Sequence, residues 1–171
     1  MLGAIVIMGV SGSGKSTLGT TLATALHCPF LEGDAFHSPA AIEKMQAGHP
    51  LDDDDRWPWL DRLGDALAQT VDRDGAAVAA CSALRRRYRQ RLAERMAGEI
   101  RFILLDGSPT LLGERLRNRH GHFMPALLLS SQLATLEPPG ADEQAITLRA
   151  GEPIAALCAA AVEWLNRGGA D

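Results

Sequence analysis

The chain has too few cysteines for a disulfide scaffold, no apolar run long enough to span a bilayer, and no basic excess. Its three cysteines, Cys28, Cys81 and Cys158, are odd in number, scattered and without metal-ligand spacing, so they read as reduced, buried thiols of a cytoplasmic protein. The apolar start is shorter than a membrane span and no basic leader accompanies it. A net charge of −4 argues against a general nucleic-acid partner. The acidic run Asp52-Asp53-Asp54-Asp55 lacks the glycine and glutamate of a calcium loop and reads as a solvated turn or a helix cap. There is no internal repeat and no linker. What remains, 46 % hydrophobic and 22 % charged residues over 171 positions, describes one globular domain across 1–171 with a sizeable core.

Against that plain background one stretch stands out. Gly9-Val10-Ser11-Gly12-Ser13-Gly14-Lys15-Ser16 satisfies G-x-x-x-x-G-K-[ST] at every fixed position. Backbone N–H groups converge on a phosphate only if the chain turns through conformations that glycine tolerates, and Gly9, Gly12 and Gly14 supply them. Lys15 then reaches the terminal phosphates, and the Ser16 hydroxyl can ligate Mg²⁺. The context agrees. An unbroken apolar run at 4–8 reads as a strand buried on both faces, and Leu18, Leu22 and Leu26 mark one face of a following helix. Thr17 extends the loop into that helix, whose N-terminus attracts anions. The segment binds a nucleoside triphosphate.

Downstream, strands are expected at 29–32, 76–80, 100–105 and 145–148. Helices are expected at 38–47, 57–72, 83–97 and 109–119, then up to 136, with a last helix opened by Pro153. That last helix carries Ile154, Leu157, Cys158, Ala161 and Leu165 on one face. Strands alternating with helices imply an α/β fold with a five-stranded parallel sheet and helices on both faces, three layers in all. An insertion at about 115–137, interrupted by His120-Gly121-His122-Phe123-Met124-Pro125, is placed to act as a helical lid with Gly121 as a hinge.

Ligands in such sheets sit beyond the carboxyl ends of the strands. Asp34, just after the second strand, therefore faces the phosphate loop. Its carboxylate can orient or deprotonate an attacking hydroxyl, or help hold Mg²⁺; the plain alternative is a helix N-cap. His37 is a weaker candidate on its own. Arg56 is a natural partner for a carboxylate substrate. Arg85, Arg86, Arg87, Arg89 and Arg91 crowd one segment around the apolar residues Leu84, Tyr88 and Leu92. Only Arg85 is near enough to a strand end to see the cleft, and Arg91 is expected in solvent. Arg115 and Arg119, four apart, either close over phosphates or offset a helix dipole. Asp106, after Ile103-Leu104-Leu105, imitates a Walker B acid but reads as a turn residue.

Taken together, these residues resemble the gluconokinase family, small P-loop kinases similar in fold to shikimate kinase. The resemblance rests on Gly33-Asp34-Ala35-Phe36-His37, Gly48-His49-Pro50-Leu51-Asp52 through Arg56-Trp57-Pro58-Trp59, Cys81-Ser82-Ala83-Leu84-Arg85-Arg86-Arg87-Tyr88-Arg89, Gly121-His122-Phe123-Met124-Pro125, Ser131-Gln132 and Leu136-Glu137-Pro138. It implies Mg²⁺-ATP-dependent phosphorylation of D-gluconate at its terminal hydroxyl. By the same resemblance, Lys15, Asp34 and Arg119 are catalytic, and residues Gly9 to Thr17 with Arg115 and Arg119 hold ATP. His37, Arg56, Arg85 and His122 meet the sugar acid, Ser16 meets the metal, and the enzyme is a homodimer. Arg85 stands where the family usually has lysine, and Asp106 where relatives often carry a basic or neutral residue. The alternatives are a kinase of another small acceptor, such as shikimate or a nucleoside monophosphate, and a non-catalytic nucleotide-binding switch or RNA-binding module using the arginine-rich helix.

Overall fold

The computed structural model describes residues 1–97, 100–118 and 128–168. Five strands, β1 (Gly3–Met8), β2 (Phe30–Glu32), β3 (Ala76–Ala80), β4 (Ile100–Asp106) and β5 (Ala145–Arg149), form one parallel sheet in the order β2-β3-β1-β4-β5. The central strand β1 is buried along its whole length, as a strand covered on both faces must be.

Helices α1 (Lys15–Ala25) and α7 (Ile154–Arg167) pack on one face, burying Leu18, Leu22, Leu157, Ala161 and Leu165 against Ile5, Ile7 and Ile103. Helices α3 (Asp53–Asp74) and α4 (Arg86–Arg95) cover the other, where Leu60, Leu63, Leu67 and Leu92 meet Val6, Met8 and Phe102. A third, smaller cluster joins Val10, Leu84 and Leu112 to Leu129, Leu133 and Leu136. It seats α5 (Pro109–Arg117) and α6 (Leu129–Thr135) at the carboxyl end of the sheet, and α2 (Pro39–Gln46) follows a 3-10 turn at Gly33–Phe36. The three-layer fold is the one the sequence implies.

Two boundaries move. Helix α3 begins at Asp53 rather than 57, because Asp52 and Asp55 form a reciprocal capping box and the acids of the first turn complement the helix dipole. The acidic run is thus a cap and a first turn, and Pro58 lies inside the helix. Helix α4 begins at Arg86 rather than 83, since Ala83 adopts φ +43° and breaks the helical path. Leu84 therefore belongs to the loop and not to the helix's apolar stripe. In α7 Ile154 is 38 % exposed instead of buried with Leu157.

Register aligns the strand ends that build the site. Glu32 is level with Ala80 across β2 and β3, and Ile7 is level with Ala80 across β1 and β3. The chain segments leaving β2, β3 and β1 therefore emerge side by side. Gly33 is indispensable there, because a Cβ on it would sit 2.1 Å from the Ala80 carbonyl oxygen.

Candidate functional site

The phosphate loop leaves β1 at Gly9. Its φ is +138°, and a Cβ at that position would lie 2.7 Å from the Leu105 carbonyl oxygen, so no larger residue fits. Gly12 and Gly14 also have positive φ, and Gly14 is the N-cap of α1, so the loop feeds directly into a helix N-terminus. Lys15 Nζ donates to the Val10 carbonyl at 3.0 Å, which folds the side chain back over the loop. The Ser16 hydroxyl donates to Glu32 Oε2 at 2.5 Å.

On one side of the loop lies a cavity of about 340 Å³. Lys15, Ser16, Glu32, Asp34, His37 and Arg56 supply its charged and polar wall; Met45, Leu51, Trp59, Leu84 and Leu128 supply its apolar one. Asp34 is not consumed as a helix cap. That role falls to Ser38, whose Oγ accepts from the Ala41 N–H at 3.1 Å. The buried Trp59 Nε1–H donates to the Gly33 carbonyl at 2.8 Å and so fixes the 3-10 turn that presents Asp34. His37 stacks on the Trp59 ring with centroids 4.0 Å apart. Burial holds its pKa down at about 4 against the opposing pull of Asp34, with Arg56 and Arg62 pushing it lower, so the imidazole is neutral at physiological pH.

Arg56 projects from the second turn of α3, its guanidinium 4.9 Å from the Tyr88 ring centroid. Its Nε is buried and, among the described residues, has no hydrogen-bond partner. Arg56 lines the cavity and carries a donor that no described residue satisfies, a combination that suits an anionic ligand. Cys81 also lies beneath this wall, but burial pushes its thiol up to about 12, so it is no nucleophile.

A second hollow, about 530 Å³, lies on the other side of the loop between Thr17, Arg115, Asn118, Glu152 and the exposed Ile154. Arg115 braces the phosphate loop from behind, donating to the carbonyls of Ser13 at 3.1 Å and Ala150 at 2.9 Å.

Arg85 is placed differently from its expectation. As N-cap of α4 it pairs with Glu137 at 3.2 Å and does not line the cavity. Arg91 pairs with Asp61 at 2.6 Å while its side chain stays 39 % exposed, as expected of a solvent-facing residue, and Asp106 is the exposed last residue of β4. Arg119, Gly121 and His122 lie outside the described residues. Two site residues have no role that the sequence pattern reveals. Glu32 is the last residue of β2, and a rule that looks just after each strand passes over it. Gln132 belongs to the Ser131-Gln132 pair, which by itself names no contact; in the fold its Oε1 accepts the Ser11 N–H of the phosphate loop at 2.7 Å.

Comparison with known proteins supplies the context for this geometry. A family model described as an AAA domain matches residues 5–139. A gluconokinase of Gluconobacter oxydans is 52 % identical over 145 residues, covering 83 % of this chain and 79 % of the relative. The thermoresistant gluconokinase of Escherichia coli is 40 % identical, covering 95 % and 93 %. The crystal structure of a gluconokinase from Sinorhizobium meliloti superposes with a TM-score of 0.86 at 47 % identity, covering 96 % of this chain and 92 % of that one. With the phosphate loop, Arg56 and the carboxylates already in one cavity, these likenesses are decisive: the chain belongs to the gluconokinase family.

Proposed function

We propose that the protein transfers the γ-phosphoryl group of ATP to the terminal hydroxyl of D-gluconate, giving 6-phosphogluconate and ADP. The observation that carries this reading is the arrangement of the 340 Å³ cavity, where Asp34 and the phosphate loop share a wall with Arg56, whose buried Nε has no hydrogen-bond partner among the described residues. An acceptor with a carboxylate at one end and a hydroxyl at the other suits that arrangement.

The chemistry follows from the residues. Arg56 holds the carboxylate of the sugar acid, and neutral His37 hydrogen-bonds its hydroxyl groups. Asp34 orients the terminal hydroxyl and takes its proton as the oxygen bonds to the γ-phosphorus, while the bond to the β–γ bridging oxygen breaks. Lys15 leaves Val10 for the phosphates and offsets the charge that spreads over them. The loop amides and the α1 N-terminus hold the rest of the polyphosphate. The nucleoside sits in the second hollow between Thr17 and Ile154, with Arg115 keeping the loop in shape.

The oxygen donors at Ser16 and Glu32, with Asp34 nearby, fit Mg²⁺, which takes few protein ligands and leaves the remainder to phosphates and water. When bound, the ion supplies charge neutralisation at the phosphates. Arg85 reaches the acceptor only by exchanging Glu137 for the substrate carboxylate. The family resemblance assigns Arg119 to the phosphates and His122 to the sugar acid, both outside the described residues, from a lid insertion at about 115–137. The enzyme acts as a single domain, as a cytoplasmic homodimer; no helix among the described residues is long and apolar enough to cross a membrane.

A coupled ADP-release assay with Mg²⁺-ATP tests the reading. D-gluconate should drive turnover and yield 6-phosphogluconate. Equal or better turnover with shikimate or a nucleoside monophosphate would move the acceptor while leaving the kinase intact.

A further inference from the structure

The most buried charged side chain among the described residues is not in the cavity. Arg89, 1 % exposed, lies under the loop that follows β3. Its Nε and Nη2 donate to the two carboxylate oxygens of Glu143, at 2.6 and 3.1 Å, and its Nη1 donates to the Ala83 carbonyl at 3.0 Å. Ala83 is fully buried and held at φ +43°, a conformation costly to any residue with a Cβ. Its two neighbours are the ones that matter. Ser82 lines the cavity and its carbonyl accepts the Gly9 N–H at 3.2 Å, the first residue of the phosphate loop. Leu84 lines the same cavity and its carbonyl accepts the Glu137 N–H at 2.7 Å.

We infer that Arg89 is a positioning residue for the phosphoryl acceptor: with Glu143 it clamps Ala83 in its left-handed conformation, and thereby sets Ser82 and Leu84 in the cavity wall. The inference rests on the gluconate reading of that cavity. The guanidinium is suited to the task because one rigid fork satisfies a carboxylate while a further N–H reaches the carbonyl; lysine offers a point charge without that geometry. Glu143 is itself tied down by the Gly140 N–H at 2.8 Å, so the clamp has a fixed far end.

The test compares wild type, Arg89→Lys and Glu143→Gln, each with and without Ala83→Gly, well below the lowest Tm of the set. Arg89→Lys should raise the KM for D-gluconate on the order of tenfold while the KM for Mg²⁺-ATP stays within about twofold. Glu143→Gln, which removes the charge and leaves one acceptor where the carboxylate has two, should raise it as well. Ala83→Gly in the Arg89→Lys background should bring the gluconate KM most of the way back, because glycine takes positive φ without the clamp. Glycine at this positive φ also relieves backbone strain and so adds stability; the set is therefore read well below the lowest Tm, where a change in stability alone leaves the gluconate KM unmoved.

Hydrogen exchange at the amides of residues 82–84 reads the loop without any acceptor. It should speed up in Arg89→Lys and slow again with Ala83→Gly. An unchanged gluconate KM in Arg89→Lys, or a raised one that glycine fails to recover, overturns the inference. If wild type does not phosphorylate gluconate, the exchange data still decide whether the clamp exists.

Discussion

Two groups of cations meet in space, with Arg56 stacked on the Tyr88 ring of α4, and they behave differently. The segment leading into and along α4 carries six arginines, 85, 86, 87, 89, 91 and 95, and every one is paired: with Glu137, Asp142, Asp53, Glu143, Asp61 and, for Arg95, Asp61 and Asp65. The cavity holds far fewer cations, yet Arg56, in its wall, keeps a buried Nε without a hydrogen-bond partner among the described residues. Six neutralised charges make a strut between α4, α3 and the segment after α6. One unmatched donor makes a binding site. Abundance of charge therefore marks structure here, and incomplete pairing marks function. This also removes the basis for an RNA-binding face on α4, since its cations are already matched within the chain.

The contrast can be broken at several points. Asp34→Asn should cost on the order of 10²–10⁴-fold in kcat if the carboxylate accepts the proton; a rise confined to KM would show that it only binds. Lys15→Ala should lower kcat by on the order of 10²-fold or more through lost charge stabilisation in the transition state, and near-normal turnover would remove it from the mechanism. Arg56→Gln should raise the gluconate KM on the order of 10- to 100-fold with the ATP KM little changed. A neutral polyol acceptor should be indifferent to that change, and equal sensitivity of both acceptors would undo the assignment of the carboxylate to Arg56.

His37 gives a test by pH. Its folded-state pKa is near 4 against an unfolded value near 6.5, so its contribution to stability is complete above 6.5 and declines as pH falls toward 4. The full decline corresponds to about 3 kcal/mol. His37→Phe should flatten the fall in unfolding free energy over that window relative to wild type, as measured by urea titration. The smallest effect is reserved for the paired face. Arg91→Gln should leave kcat and both KM values within about twofold of wild type; a large loss would mean that α4 contributes more to the site than its ion pairs indicate.

Much of this was readable from order alone. The phosphate loop is a local object: its glycines, its lysine and its serine must be consecutive to wrap one polyphosphate, so Gly9 to Ser16 announce themselves, and the hydrophobic periods of β1 and α1 confirm them. The alternation of strands and helices set the sheet and put Asp34 at a carboxyl strand end. Other features depended on partners distant along the chain, and no local pattern encodes those. Glu32 became a site residue because parallel register sets β2 beside β3 and brings its carboxylate to Ser16. Arg85 lost its place in the cavity because Glu137, 52 residues away, takes its guanidinium. In the sequence Arg89 is one of five arginines crowding a single segment, and only Glu143 and the Ala83 carbonyl, closing around it, set it apart. Chemistry carried by consecutive backbone groups is written in the sequence itself. Whether a given charge is spent or available is decided only when the fold has chosen its neighbours.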